Sequence, residues 1–179
     1  MLLERGANFT ALATPASVRR TGFERGCMEL IDGAPYIEDV KGLIREYTAW
    51  FGRDLSFQSL DDELDHVEGK YLPPEGRLVV AIDDDGAVCG CVAYHRLDKD
   101  TAEMKRLYVR PAGRGHHLGE RLAVRIMELA REDGCRRMVL DTVAPLESAV
   151  ALYRKLGFKE IEPYYHNPFD DVIYFGIDL

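Results

Sequence analysis

YVRPAGRGHHLGERL, residues 108–122, passes from an extended, β-rich segment through Gly113, Arg114, Gly115, His116, His117 and Gly119 into a helix. The first N–H groups of such a helix have no partners within it, and its macrodipole places partial positive charge there. Glycines let a ligand approach the backbone with no Cβ between. From Lys105 to Arg125 the chain carries Lys105, Arg106, Arg110, Arg114, Arg121 and Arg125 against a single acid, Glu120. The junction therefore reads as an anion site with phosphate as its natural ligand. A solvated helix face beside a loop that happens to hold glycine is the alternative. Two commoner phosphate motifs fit badly. There is no G-K-S/T, so a P-loop fails, and Gly113, Gly115 and Gly119 are spaced one residue too wide for G-x-G-x-x-G.

The flanking segments supply a fold around this junction. Upstream, RLVVAI and AVCGCVAY are separated by DDDG, whose Asp-Gly step favours a hairpin. AEMKRLYVR follows as a third antiparallel strand, so a meander precedes the junction rather than a βαβ unit. Before it, CMELI reads as a strand, and Ile37, Val40, Leu43, Ile44 and Tyr47 recur at helical spacing up to Gly52. SLDDELDHV reads as a second helix with Ser59 as N-cap. Downstream, Leu118, Leu122, Ile126 and Leu129 share one helical face that ends at Gly134, and RRMVLDT is a buried strand. Pro145 opens a last helix with the stripe Leu146, Ala149, Val150 and Tyr153, ended by Gly157. FKEIEPYY and DVIYFGIDL close the chain as strands. The order β-α-α-β-β-β-α-β-α-β-β predicts one α+β domain over residues 27–179, preceded by a mobile arm over residues 1–26.

Composition narrows the function. With 23 basic and 31 acidic residues the net charge is −8, which argues against a general nucleic-acid binder and leaves room for a cationic substrate. No apolar run approaches a membrane span, and the N-terminus lacks the apolar core of a signal peptide. Cys27, Cys89, Cys91 and Cys135 form no C-x-x-C pair, so no metal site is expected and reduced thiols in the cytoplasm are. Cys89 and Cys91, two apart in a strand, are expected on one face.

Taken together, the order and two motifs resemble the GNAT family of N-acetyltransferases from about residue 27 to the C-terminus. A family strand ends in L-x-V-x-P and runs into R-G-x-G-x-G; Leu107, Val109, Pro111, Arg114, Gly115 and Gly119 match it, with His117 at the middle glycine. A second signature, A-x-x-L-Y-x-K-x-G-F, is met by Ala149, Leu152, Tyr153, Lys155, Gly157 and Phe158. An asparagine often found three residues before that alanine is here Leu146. EMKRLYVRP, LDT and EIEPYYHNP are similar to a bacterial subgroup with an unsettled acceptor. The resemblance implies a GNAT fold, a mixed sheet of about seven strands with four flanking helices.

It also implies acetyl-CoA as acetyl donor, bound where the fourth and fifth strands splay. Leu107, Tyr108 and Val109 would contact it through their main chain, and Arg114, Gly115, His116, His117, Leu118 and Gly119 would cradle its pyrophosphate. The amine acceptor, a small molecule, amino acid or peptide, attacks directly in a ternary complex. Tyr153 occupies the position of the family's acid for the departing thiolate, although it also completes an apolar stripe. Glu103 sits where the family often places a base, or it is a surface partner of Lys105; His95, Asp141 and His166 are further candidates. Strand alternation would put Glu103, Lys105, Leu107 and Val109 on one face and Met104, Arg106 and Tyr108 on the other.

Tyr47, Phe57, Gln58, Arg106, Tyr164 and Tyr165 are expected to line the acceptor pocket. Arg106 would either fork a substrate carboxylate or pair with an acid of the second helix. His116 or His117 would either sit beside the pyrophosphate or face solvent. A longer acyl donor, a homodimer, and a non-catalytic acyl-CoA-binding sensor or assembly module remain open alternatives.

Overall fold

The computed structural model describes residues 28–52, 60–114 and 117–179. The expected arm over residues 1–26, together with Cys27, Phe57, Gln58, Ser59, Gly115 and His116, lies outside them. Seven strands form one mixed sheet in the order β1-β2-β3-β4-β5-β7-β6. They are β1 (Glu29–Asp32), β2 (Gly76–Ile82), β3 (Val88–Arg96), β4 (Thr101–Val109), β5 (Arg137–Val143), β6 (Lys159–Glu160) and β7 (Val172–Asp178). The helices are α1 (Ile37–Phe51), α2 (Leu60–Asp65), α3 (Val67–Tyr71), α4 (Leu118–Glu132) and α5 (Glu147–Lys155). The α+β expectation and the strand order hold. Among the described residues there are five α-helices rather than four, because His66 leaves helical geometry (φ −122°, ψ 25°) and divides the expected second helix. Pro145 precedes the α5 N-cap, Leu146, rather than opening the helix.

Two apolar layers sandwich the sheet. α4 and α5 cover one face through Leu118, Leu122, Ile126, Val150 and Tyr153. On the other face α1 and α3 pack Val40, Leu43, Ile44, Val67 and Tyr71 against Val80, Cys91 and Ala93. Helices α4 and α5 both close with a glycine in left-handed geometry, Gly134 (φ 85°) and Gly157 (φ 93°). In α4 the N–H groups of Gly134 and Cys135 bond to Arg131 and Ala130 carbonyls; in α5 those of Gly157 and Phe158 bond to Arg154 and Tyr153. Both ends are Schellman closures.

Two bulges overturn expectations drawn from strict alternation. In β3, Ile82 pairs with Val88 but Ala81 pairs with Gly90, so Cys89 is an extra residue. It turns toward the α4 layer while Cys91 faces the α1 layer, on opposite sides of the sheet. In β4, Lys105 pairs with Ala93 but Tyr108 pairs with Cys91, leaving Arg106 and Leu107 opposite Val92 alone. Arg106 absorbs the extra residue at φ 59°. Leu107 and Val109 thereby join Met104 on the α4 side, while Tyr108 packs on the α1 side.

Candidate active site

Strands β4 and β5 run parallel and pair only from Thr101 to Glu103 against Arg137 to Val139. Beyond Glu103 they separate, since β4 stays bonded to β3 as far as Val109 and β5 to β7 as far as Val143. The facing edges of Met104–Val109 and Leu140–Val143 thus have no strand partner among the described residues. A cleft of about 720 Å³ opens there, with Lys105 and Asp141 at its floor and Leu107, Tyr108 and Val109 along one wall.

The cleft runs to the N-terminus of α4. Among the described residues no side chain caps that end, and Arg121 N–H to His117 C=O is the first closing bond. The leading N–H groups of the helix are therefore free to meet an anion. His117 holds φ 51°, a conformation a glycine adopts without penalty, which explains why glycine suits this position of the motif. Its ring is 81% exposed and lies 3.7 Å from Glu120, in keeping with the solvent-facing alternative. The remaining glycines differ in purpose. At Gly113 a Cβ would press within 3.2 Å of a Val109 methyl, so the chain's own packing favours glycine there. At Gly119 it would meet only Leu152 at 3.8 Å and Val109 at 4.0 Å. Packing tolerates a side chain at Gly119, and the glycine leaves that room to the cleft.

The cluster of cations does not act as one positive field. Lys105 pairs with Glu103 and Asp141, Arg106 with Glu63, Arg110 with Glu46, and Arg125 with Glu128 and Glu132. Arg121 donates to the Met28 carbonyl. Arg114 alone of the six has no such partner among the described residues, and it lines the cleft.

Tyr153 faces this cleft from α5. The Schellman closure explains how the second motif fixes it: Gly157 supplies the left-handed turn, and Phe158 comes back to accept the ring edge-on at 5.8 Å. Phe175 supports it from β7 at 6.0 Å. Among the described residues its hydroxyl has no hydrogen-bond partner. Burial, with smaller contributions from Tyr47 and Asp141, raises its pKa, so the hydroxyl keeps its proton at neutral pH.

Glu103 pairs with Lys105, as one alternative had it, but inside the fold rather than at the surface. It is 5% exposed and is not among the residues lining the cleft. His95 Nε2 (2.7 Å), the Tyr164 hydroxyl (2.7 Å) and Lys105 Nζ (2.9 Å) all bond to its carboxylate. Burial alone would raise its pKa, but His95, Lys105 and Tyr164 together hold it at about 2. Lys105 Nζ reaches Asp141 at 2.7 Å, bridging the splayed strands, and lies over the Tyr165 ring at 5.5 Å. Tyr164 and Tyr165 serve this network rather than the cleft wall. Asp141 is the carboxylate of the network that lines the cleft. His166 is exposed and outside the lining.

Arg106 is committed to Glu63 of α2, with Nε 2.5 Å from Oε1. The Tyr71 hydroxyl (2.8 Å) and Lys70 (3.1 Å) complete the coordination of that buried carboxylate. The acid-pairing alternative for Arg106 is the one observed, and the bulge explains it by turning Arg106 away from the face that alternation assigned. Burial works to raise the Glu63 pKa, yet Arg106, Lys70 and Tyr71 hold it at about 2. Tyr47 lines the cleft as expected, together with Trp50, Phe51 and Phe169, which sequence reasoning missed. Spacings of four and three continue the α1 stripe from Leu43 to Tyr47 and Trp50; that continuation was the available signal.

Glu63 and Glu103 give the fold an acid limit. Both pKa values lie below the ordinary 4.5, so the unfolded chain takes up protons first as the pH falls. Their stabilisation is complete above about pH 4.5 and lost toward pH 2, about 3 kcal/mol each. Denaturant midpoints should therefore drop steeply across that window. A flat profile there would refute the two buried networks.

No group of three or more metal-ligating side chains exists among the described residues, nor a helix long and apolar enough to cross a membrane. Cys89, Cys91 and Cys135 are free and buried. The sequence profile described as Acetyltransferase (GNAT) family matches residues 41–158. An N-acetyltransferase of Schizosaccharomyces pombe is 46% identical over 80% of this chain and 88% of its own length. Since that relative is fungal, the likeness is not confined to bacteria. An acetyltransferase structure from Streptococcus agalactiae is 27% identical with a TM-score of 0.70, covering 85% of this chain and 98% of that one. A phosphinothricin acetyltransferase from Sinorhizobium meliloti in complex with AcCoA shares the fold at 20% identity and a TM-score of 0.61, over 85% and 88% of the two chains.

Proposed function

The chain belongs to the acetyltransferase (GNAT) family, and from that premise we propose that it moves an acetyl group from acetyl-CoA to a primary amine by direct attack in a ternary complex. The observation that carries this reading is the open V between β4 and β5, which leads to the uncapped N-terminus of α4. The spare room at Gly119 and Arg114, which has no ion-pair partner among the described residues, suit a pyrophosphate. The unpaired edge of β4 around Leu107–Val109 suits an amide-bearing arm laid along it as an extra strand. Bound there, acetyl-CoA supplies a thioester whose carbonyl carbon the amine attacks.

The protein's part is to place groups and move protons. Tyr153 holds a proton at Oη for delivery to the departing sulfur. Asp141 is the carboxylate facing the cleft, and it takes the proton from the amine in place of Glu103. Glu103 is a positioning residue, which with His95 and Tyr164 holds Lys105 against Asp141. Asp141→Asn should lower kcat roughly tenfold, less than a typical base because water in an open cleft substitutes in part. An unchanged kcat would return the base to Glu103 or His95. Monitoring thiol release from acetyl-CoA over a panel of amines tests the whole reading: turnover with an amine supports it. Tight binding with no thiol released for any amine would instead identify a non-catalytic acyl-CoA module. Reduced buried thiols fit a cytoplasmic protein.

A further inference from the structure

The acceptor end of the cleft has a lip and a floor of opposite character. The lip is aromatic. Tyr47 contacts Trp50 at 6.1 Å, Phe51 at 5.7 Å and Tyr108 at 5.7 Å between ring centroids. Phe169 lines the same cleft from the loop before β7. The α1 stripe that is buried at Leu43 is 58% exposed at Trp50, where it borders the cleft. A large indole left in water beside a cleft marks a place where a ligand can cover it.

The floor is polar: Asp141 lines the cleft and bonds Lys105, and Glu103, with His95 and Tyr164 on it, holds Lys105 from behind. Arg106 is taken by Glu63 and Lys105 by Asp141 and Glu103, so among the described residues both cations beside Asp141 are already paired. An ammonium group suits such a floor, and an apolar body suits such a lip.

Building on the acetyltransferase reading, we propose that the acceptor is a primary amine carried on an aromatic body, without a carboxylate beside the amine. The ammonium enters toward Asp141, and the ring lies against Trp50 and Tyr47. An α-amino acid of the same side chain brings a carboxylate toward Asp141 with both nearby cations already paired, which costs affinity.

Thiol release from acetyl-CoA with tryptamine and phenylethylamine, against tryptophan and phenylalanine, isolates the carboxylate as the one difference within each pair. The amines should exceed their amino acids in kcat/KM by at least about 30-fold. Trp50→Ala, at an exposed position, should raise the KM for tryptamine about tenfold with the KM for acetyl-CoA and the melting temperature unchanged. Equal or better use of the amino acids would overturn the proposal. So would turnover confined to small polar amines such as ethanolamine, or a Trp50→Ala effect on acetyl-CoA alone. Acetyl-CoA binding without turnover of either aromatic class overturns this proposal by itself. Failure of acetyl-CoA to bind removes the acetyltransferase reading, and this one with it.

Discussion

Tyr153→Phe should lower kcat about a thousandfold while leaving the melting temperature and the acetyl-CoA affinity where they were. The substitution removes one oxygen for which burial and charge, and no hydrogen bond, set the pKa among the described residues, so none of them loses a partner. The ring stays between Phe158 and Phe175, in contact with both. What is lost is the proton that burial keeps on the hydroxyl at the cleft. Steady-state rates by thiol release and a thermal melt on the same preparation separate chemistry from packing. A variant with wild-type kcat would leave Tyr153 as a core residue and nothing more.

Arg106→Ala should cost about 3–5 kcal/mol of stability, read as a shift in the denaturant midpoint at constant m-value. Its partner Glu63 has a side chain only 4% exposed, and removing the guanidinium leaves that carboxylate in the core with Lys70 and Tyr71 alone. Replacing both members, Glu63→Leu with Arg106→Met, should be much milder, because no charge is then left without its partner. A double-mutant cycle measures the difference. Loss of under 1 kcal/mol for Arg106→Ala would mean that the pair is not buried in solution.

Much of this was legible in the sequence because it depends on local chemistry. Gly134 and Gly157 announce their helix ends, and the DDDG turn closes where expected with Gly86 at φ 83°. The order of strands followed from such punctuation. The bulges at Cys89 and Arg106 were not legible, since one extra residue in a strand leaves composition and turn signals unchanged while inverting every side chain beyond it. Arg106 carries φ 59° with no glycine to advertise it.

The Glu103 network was hidden for another reason. Its partners come from β3, from β5 across the splay and from the loop before β7, and only the fold brings them together. Tyr153, by contrast, was legible because its placement is local: the glycine and phenylalanine that fix it lie within five residues.

Isothermal titration of the folded chain with acetyl-CoA goes straight to the claim that the splayed strands and the bare helix start form a coenzyme site. One saturating event per chain is expected, weakened about tenfold by Arg114→Ala through the loss of one charge-assisted phosphate contact. Folded protein that gives no saturable heat with millimolar acetyl-CoA would contradict it.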